Sequence, residues 1–139
     1  MTQRGKVAVG IGALCVLGSI PAGPLKEVLD QCETVMNIQE LLPHQPGDFL
    51  LVVEGDSMIG DGILPGDKVL LRPDVQVQNG EIAAVHVGSE CRATLKHIYF
   101  LPDKCLVILH ASNPAYPDAE FNQADIKVAG VCRGVVRAF

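Results

Sequence analysis

Ser57 and Lys96 are the residues whose types and surroundings are best suited to chemistry. Ser57 follows an apolar run and lies in a tight Gly-Asp-Ser-Met turn. Such a turn can project the hydroxyl and leave successive backbone N–H groups free to hold an oxyanion. Asp and Ser are also common in ordinary turns, so this motif alone does not identify a nucleophile.

Lys96 lies in residues 93–98, whose neighbours are those of a buried or half-buried strand. Because side chains alternate along a strand, Thr94, Lys96 and Ile98 share one face. Burial disfavours the ammonium form and is expected to lower the pKa of Lys96. A neutral lysine can then act as general base to a serine. The alternative is an edge-strand lysine whose charged end reaches water along its aliphatic stem.

The composition predicts a mostly β domain that could position these two residues. The chain has 139 residues, 48% of them hydrophobic, with 14 Gly, 9 Pro and a net charge of -5. Short β-branched runs separated by Gly and Pro are typical of β domains and exclude a helical bundle. The acidic balance argues against direct binding of nucleic acid through a basic surface.

The pattern along the chain predicts an N-terminal arm at residues 1–45 and a β domain at residues 46–139. In the arm, apolar spacing near residues 25–32 is compatible with two helical turns, but the short segment could equally be an extended linker. One further turn is expected at 38–42, which Pro43 ends. From Phe49 onward the residue pattern is typical of β-strands. We expect strands at 49–53, 68–72, 82–87, 92–100, 106–110, 126–131 and 134–138.

The cysteines and histidines give no sign of a metal or cofactor site. The five cysteines include no C-x-x-C pair, and the four histidines have no ligand spacing. We therefore expect no metal, no cofactor, and reduced, mostly buried thiols in a cytoplasmic protein.

The first twenty residues allow two interpretations. Arg4 and Lys6 precede an uncharged stretch at residues 7–20 that ends near Ala22 and Gly23, which is the outline of a signal peptide. The alternative is an apolar, extended arm that lies on the domain or on a partner chain. The stretch has 14 residues, too few to span a bilayer comfortably, so we expect no membrane anchor.

Several segments together resemble the LexA/UmuD family of self-cleaving serine peptidases. The segments are V-V-E-G-D-S-M-I-G-D-G-I-L-P-G-D at 52–67, T-L-K-H-I at 94–98, Ser-Asn-Pro at 112–114 with Tyr116, and the closing residues 128–136. The resemblance covers about residues 18–139. It implies a coiled, antiparallel β fold shared with type I signal peptidases. It also implies that Ser57 is the nucleophile, Lys96 its base, and the backbone N–H groups of Ser57 and Met58 the oxyanion donors.

The resemblance also implies a substrate within the chain. Family members cut their own arm at an Ala-Gly or Cys-Gly bond, and Ala22-Gly23 is the only Ala-Gly pair in this arm, with Gly23 34 positions before Ser57. This assignment disfavours the signal-peptide interpretation. Pro21 and Pro24 flank the bond and each removes a backbone donor. If docking of the arm uses a donor at either position, cleavage will be slow or the register will differ.

Two functions follow from the resemblance. The first is a UmuD-like protein of the bacterial DNA-damage (SOS) response, which the 22-residue arm favours. It would form a homodimer, cut itself when stimulated by the RecA filament on single-stranded DNA, and join an error-prone DNA polymerase in translesion synthesis. The alternative is the C-terminal cleavage and dimerisation domain of a LexA-like transcriptional repressor, which the Gly-x-x-x-Ala-Gly surroundings of the bond favour.

Two further classes have less support. A signal-peptidase-like enzyme that cuts other proteins would need a membrane anchor. A catalytically silent binding module would not need both Ser57 and Lys96. The sequence leaves open whether the arm reaches its own active site or that of a dimer partner.

Overall fold

The computed structural model describes residues 12–17, 24 and 32–139. The chain divides into two units, one up to His44 and one comprising Gln45–Phe139. Among the described residues, no helix is long and apolar enough to cross a membrane.

The N-terminal unit contains a short antiparallel pair and one helical turn. Strand β1 (Ala13–Cys15) pairs with β2 (Val35–Asn37), and helix α1 (Ile38–Leu41) follows directly. The Asn37 side chain accepts a hydrogen bond from the Glu40 backbone N–H at 2.9 Å, which satisfies one of the free donors at the helix start. This confirms the helical turn predicted just before Pro43. The two turns predicted near residues 25–32 lie outside the described residues, apart from Cys32.

Cys15 and Cys32 are joined by a disulfide, so the prediction of reduced thiols is wrong for this pair. Cys91 and Cys105 are exposed and Cys132 is half-buried, so most of these free thiols are not buried either. The positions of Cys15 and Cys32 give no local signal of pairing, because the two residues are brought together by the β1–β2 pairing and not by a short motif.

The second unit is built on one antiparallel sheet in the order β3-β4-β9-β5-β6-β7-β8. The strands are β3 (Phe49–Val52), β4 (Lys68–Arg72), β5 (Ile82–Val87), β6 (Thr94–Leu101), β7 (Leu106–His110), β8 (Ala119–Asn122) and β9 (Ile126–Val136). The long β9 pairs with β4 through its C-terminal half and with β5 through its N-terminal half. Strand β6 therefore lies inside the sheet, between β5 and β7.

Alternation along the central strand β5 divides the core into two clusters. Ala84 packs with Met58 and Leu71, whereas Val85 packs with Ile98 and other residues of the second cluster. Both clusters are formed from fully or almost fully buried side chains. A strand that is apolar on both faces is expected where a sheet is covered on both sides.

The structure confirms a mostly β fold and most of the predicted strands to within about two residues. Two differences stand out. The predicted strands at 126–131 and 134–138 are one strand, β9, because a register shift opposite Leu70 and Leu71 lets the chain continue past Arg133. Strand β8 was not predicted, since its four residues include Glu120 and Asn122, which are poor strand formers.

Candidate active site

The nucleophile segment is a loop whose two ends are tied together. After β3, the Val53 N–H donates to Asp67 O and the Gly66 N–H donates to Val53 O, each at 2.8 Å. Between these ties, Met58 is 2% exposed and anchors the loop in the core. Ser57, the residue before it, is half-buried and is thereby held at the edge of the core.

Lys96 lies within hydrogen-bond distance of Ser57, although 39 positions separate them in sequence. Lys96 Nζ is 3.0 Å from Ser57 Oγ, 2.8 Å from Thr94 Oγ1 and 3.2 Å from Leu95 O. At Lys96, strand β6 pairs with β5 only, since its pairing with β7 begins at His97, and the Lys96 amine is directed to Ser57 Oγ. The structure therefore brings together the two residues that the sequence singled out.

Burial lowers the pKa of the Lys96 ammonium, as the sequence predicted. Lys96 takes part in none of the ion pairs formed by the described residues. No paired carboxylate therefore offsets the lowering of its pKa by burial. A neutral amine at 3.0 Å can accept the Ser57 proton, which is the geometry required of a general base.

The backbone beside Ser57 offers free donors. Within the described part of the chain, the N–H groups of Ser57 and Met58 donate to no protein acceptor. Two unpaired N–H groups next to a hydroxyl nucleophile are the elements of an oxyanion hole.

An open cleft of roughly 500 Å³ begins at Ser57. One wall is formed by the end of β3 and the residues after it, and the other by residues 91–95. Strand β3 is at the end of the sheet order, and its outer edge pairs with no other described strand. An extended peptide can add to such an edge as a further strand. Ala22, Gly23 and Pro21 lie outside the described residues, and Pro24 is exposed.

A second loop, residues 112–116, contacts the nucleophile segment at several points. The Tyr116 hydroxyl donates to Asp56 Oδ1 at 2.5 Å, and Asn113 Nδ2 donates to Asp56 O at 2.9 Å. The Gly60 N–H donates to Ser112 O at 2.7 Å. The sequence singled out Ser112, Asn113 and Tyr116 only as part of the resemblance, and the structure places them against the turn that holds Ser57.

Asp61 and His97 form a further link that the sequence reasoning missed. His97 follows Lys96 directly, and its Nε2 lies 2.6 Å from Asp61 Oδ2 in the nucleophile segment. Asp61 resembles any acidic turn residue in the sequence, and only its position shortly after Ser57 could have drawn attention to it. The described residues contain no group of three or more His, Cys, Asp or Glu side chains that could hold a metal ion.

Comparisons with known proteins agree with this fold. The model of the Peptidase S24-like family matches residues 15–133. The LexA repressor of Deinococcus radiodurans is 37% identical over 131 residues, which cover 94% of this chain and 61% of the relative. LexA repressors of a Ruegeria species and of Pseudothermotoga lettingae are 34% and 35% identical, over 94% and 91% of this chain and 53% and 62% of their own lengths.

The chain belongs to the Peptidase S24-like family, and its antiparallel sheet is the LexA-like β domain of that family. This confirms the resemblance to the LexA/UmuD family. The chain spans 53 to 62% of the length of these three relatives.

Proposed function

We propose that this chain is the cleavage and dimerisation domain of a LexA-like repressor and that it cuts its own Ala22-Gly23 bond. The observation that carries the proposal is the 3.0 Å separation of Lys96 Nζ and Ser57 Oγ. The relatives compared above are named LexA repressors, which supports the LexA-like alternative better than the UmuD-like interpretation. None of these names supports a role in translesion synthesis.

The reaction is an intramolecular or dimer-internal acyl transfer. Neutral Lys96 takes the Ser57 proton as Oγ attacks the carbonyl carbon of Ala22. The backbone N–H groups of Ser57 and Met58 stabilise the oxyanion. When the intermediate collapses, the C–N bond to Gly23 breaks, and the Lys96 ammonium returns its proton to the leaving amine.

The resulting Ala22 ester on Ser57 is then hydrolysed. Lys96, neutral again, takes a proton from water as the water oxygen attacks the ester carbon. The Ala22–Oγ bond breaks, Ser57 regains its proton from Lys96, and the new Ala22 carboxylic acid loses its own proton to solvent. The net reaction consumes one water and leaves two new chain ends.

The resemblance extends the proposal to partners. The domain would form a homodimer, and the RecA filament on single-stranded DNA would stimulate cleavage by favouring the docked arm. The domain itself would not bind DNA, consistent with its net charge of -5. A cytoplasmic, bacterial location is part of the same proposal.

The test compares wild type with Ser57→Ala, Lys96→Met and the matched control Lys104→Met. Lys104 is an exposed lysine in the turn after β6, so its loss removes a charge without touching Ser57. We expect wild type and Lys104→Met to be cut between Ala22 and Gly23, faster near pH 10 than at pH 7 by intact mass after reduction. Ser57→Ala and Lys96→Met should stay whole. A normally cut Lys96→Met would contradict the proposal.

A further inference from the structure

The strand that carries Lys96 is tied to the nucleophile segment a second time, by His97. Its Nδ1 lies 2.8 Å from Gly80 O, and its Nε2 lies 2.6 Å from Asp61 Oδ2. A carbonyl and a carboxylate oxygen are both acceptors. Each ring nitrogen must therefore carry a proton, and only the imidazolium form of histidine has both.

We propose that His97 is a positioning residue whose charged form holds the Ser57 segment against the strand that carries Lys96. This inference rests on the proposed self-cleavage and deepens it. Asp61 lies four residues after Ser57 and His97 lies one after Lys96, so the pair spans the two halves of the candidate site. Losing the second ring proton would leave one of the two acceptors without a donor and loosen this tie.

The surroundings of His97 agree with the charged form. Burial opposes the charge, but the hydrogen bonds to Gly80 and Asp61 outweigh it and raise the pKa of His97. Burial likewise opposes ionisation of Asp61, yet hydrogen bonds from Ser112 and His97 hold its pKa below the ordinary value.

Three packed elements face His97 besides the turn at Gly80. The helical turn that contains Asp61 supplies the carboxylate, and β5 supplies the uncharged partner Ile82. Strand β7 supplies His110, whose ring centroid is 5.9 Å away and whose Nδ1 is 2.5 Å from Asp118 Oδ1. A charged His110 would oppose a charged His97, and Asp118 offsets part of that repulsion.

The test is the pH profile of self-cleavage in wild type, His97→Arg and His97→Gln. Arginine keeps both donors and its charge at every pH used, whereas glutamine is never charged. We expect His97→Arg to match wild type near pH 6 and to exceed it by about tenfold at alkaline pH, once His97 loses its proton. His97→Gln should be slowest relative to wild type near pH 6. Rate ratios that do not change with pH would overturn the proposal.

A second measurement needs no cleavage. In an NMR titration, the pKa of His97 should lie above the ordinary value in Ser57→Ala and fall toward it in Ser57→Ala/Asp61→Asn. If the protein does not cut itself, this titration still decides whether the charged pair exists. A His97 that titrates identically with and without the Asp61 carboxylate would contradict it. Circular dichroism of each variant establishes that it is folded.

A separate observation concerns the bond to be cut. The Cys15–Cys32 disulfide joins residues on either side of Ala22-Gly23 in sequence. The two flanks are also held by backbone pairing, because β1 pairs with β2 and the Val16 N–H donates to Thr34 O at 2.8 Å. Hydrolysis breaks the backbone at Ala22-Gly23, but the disulfide still joins the segment before the cut to the segment after it.

We infer that cleavage alone does not separate the products and that release of residues 1–22 requires reduction of this disulfide. This inference also rests on the proposed cut. Hydrolysis adds one water to a chain that stays in one piece. A dithiol reductant then supplies two electrons and two protons, giving two cysteine thiols while the dithiol becomes a disulfide. Self-cleavage would thereby be coupled to the thiol redox state.

Intact mass of cut protein, with free thiols alkylated and no reductant, tests the inference. Wild type and the matched control Cys105→Ser should gain the mass of one water and stay whole, whereas Cys15→Ser should separate into two fragments. Adding a dithiol should separate the fragments of all three. Wild type that separates without reductant would overturn the inference.

If no protein is cut, trypsin decides the matter independently of self-cleavage. Lys26 is the only Lys or Arg between the two cysteines. Unreduced tryptic peptides that contain Cys15 and Cys32 should therefore run as one linked species. Unlinked peptides would contradict the inference.

Discussion

Gly60 is the position where adding one methyl group should most directly disturb the candidate site. Its backbone N–H donates to Ser112 O at 2.7 Å, so the nucleophile segment and the 112–116 loop are in backbone contact there. A Cβ at Gly60 would fall inside 3.0 Å of Ser112 O, closer than real Cβ atoms approach, and 3.1 Å from the Ser112 carbonyl carbon. The backbone φ of Gly60 is not in the left-handed region, so alanine itself adds no backbone strain.

The size of the effect follows from that contact. The segment must retreat by roughly half an ångström or more to relieve it, and Ser57 lies three residues away. A displacement of about 1 Å at a reacting centre can cost about 100-fold in rate. We therefore expect Gly60→Ala to slow self-cleavage between about 10- and 100-fold, and to cost about 1–3 kcal/mol of stability from overpacking.

Gly130→Ala is the matched control. A Cβ there would lie 3.0 Å from Leu71 Cβ and 3.3 Å from Arg72 O, a close but milder contact that lies within the sheet. Both variants should be assayed by intact mass over time at a temperature well below their unfolding transitions, which are measured by circular dichroism. A folded Gly60→Ala variant that cuts at the wild-type rate would refute the argument, as would an equal slowing in Gly130→Ala.

Two other predictions concern charge and thiols. The Arg137 guanidinium, through its hydrogen bonds, lowers the pKa of Asp67 to about 2. Because this folded value is below the ordinary 3.8, the pair stabilises the fold above about pH 4 and the gain is lost as pH falls toward about 2. Measured by urea unfolding, the free energy of unfolding should fall less between pH 7 and pH 3 in Arg137→Met than in wild type. Equal decreases would contradict this. Burial raises the pKa of Cys132, so a thiol reagent at neutral pH should modify exposed Cys91 and Cys105 well before it; faster reaction at Cys132 would be the contrary result.

Local patterns predicted most of the sheet because its strands alternate in burial or are bounded by clear turns. β4 ends before Pro73, and β5 and β6 are joined across Gly88, so both boundaries are visible in the sequence. The sequence could not predict that the two strands expected at 126–131 and 134–138 are the single strand β9, because a register shift depends on the partner strand and not on the residues that bulge. The pairing of Cys15 with Cys32 likewise depends on a strand pairing and carries no local motif.

The candidate site was predictable in part and for a different reason. Neither Ser57 nor Lys96 is decisive alone, and their separation of 39 positions gives no periodic signal. Their pairing was therefore predicted from the resemblance to the LexA/UmuD family. The lowered pKa of Lys96 could be anticipated, because a lysine in an apolar strand is desolvated. The link between Asp61 and His97 could not, since a helical turn and strand β6 meet there only in the folded chain.

The most direct test of the account is the pH dependence of self-cleavage measured beside the titration of Lys96. The Lys96 side chain can be followed by NMR in Ser57→Ala, which keeps the protein whole, with Lys96→Met to assign its signal. We predict that Lys96 titrates below the ordinary lysine pKa and that the wild-type rate rises with pH over the range in which Lys96 loses its proton. A Lys96 that titrates like an exposed lysine, or a rate that is indifferent to its protonation, would contradict the account.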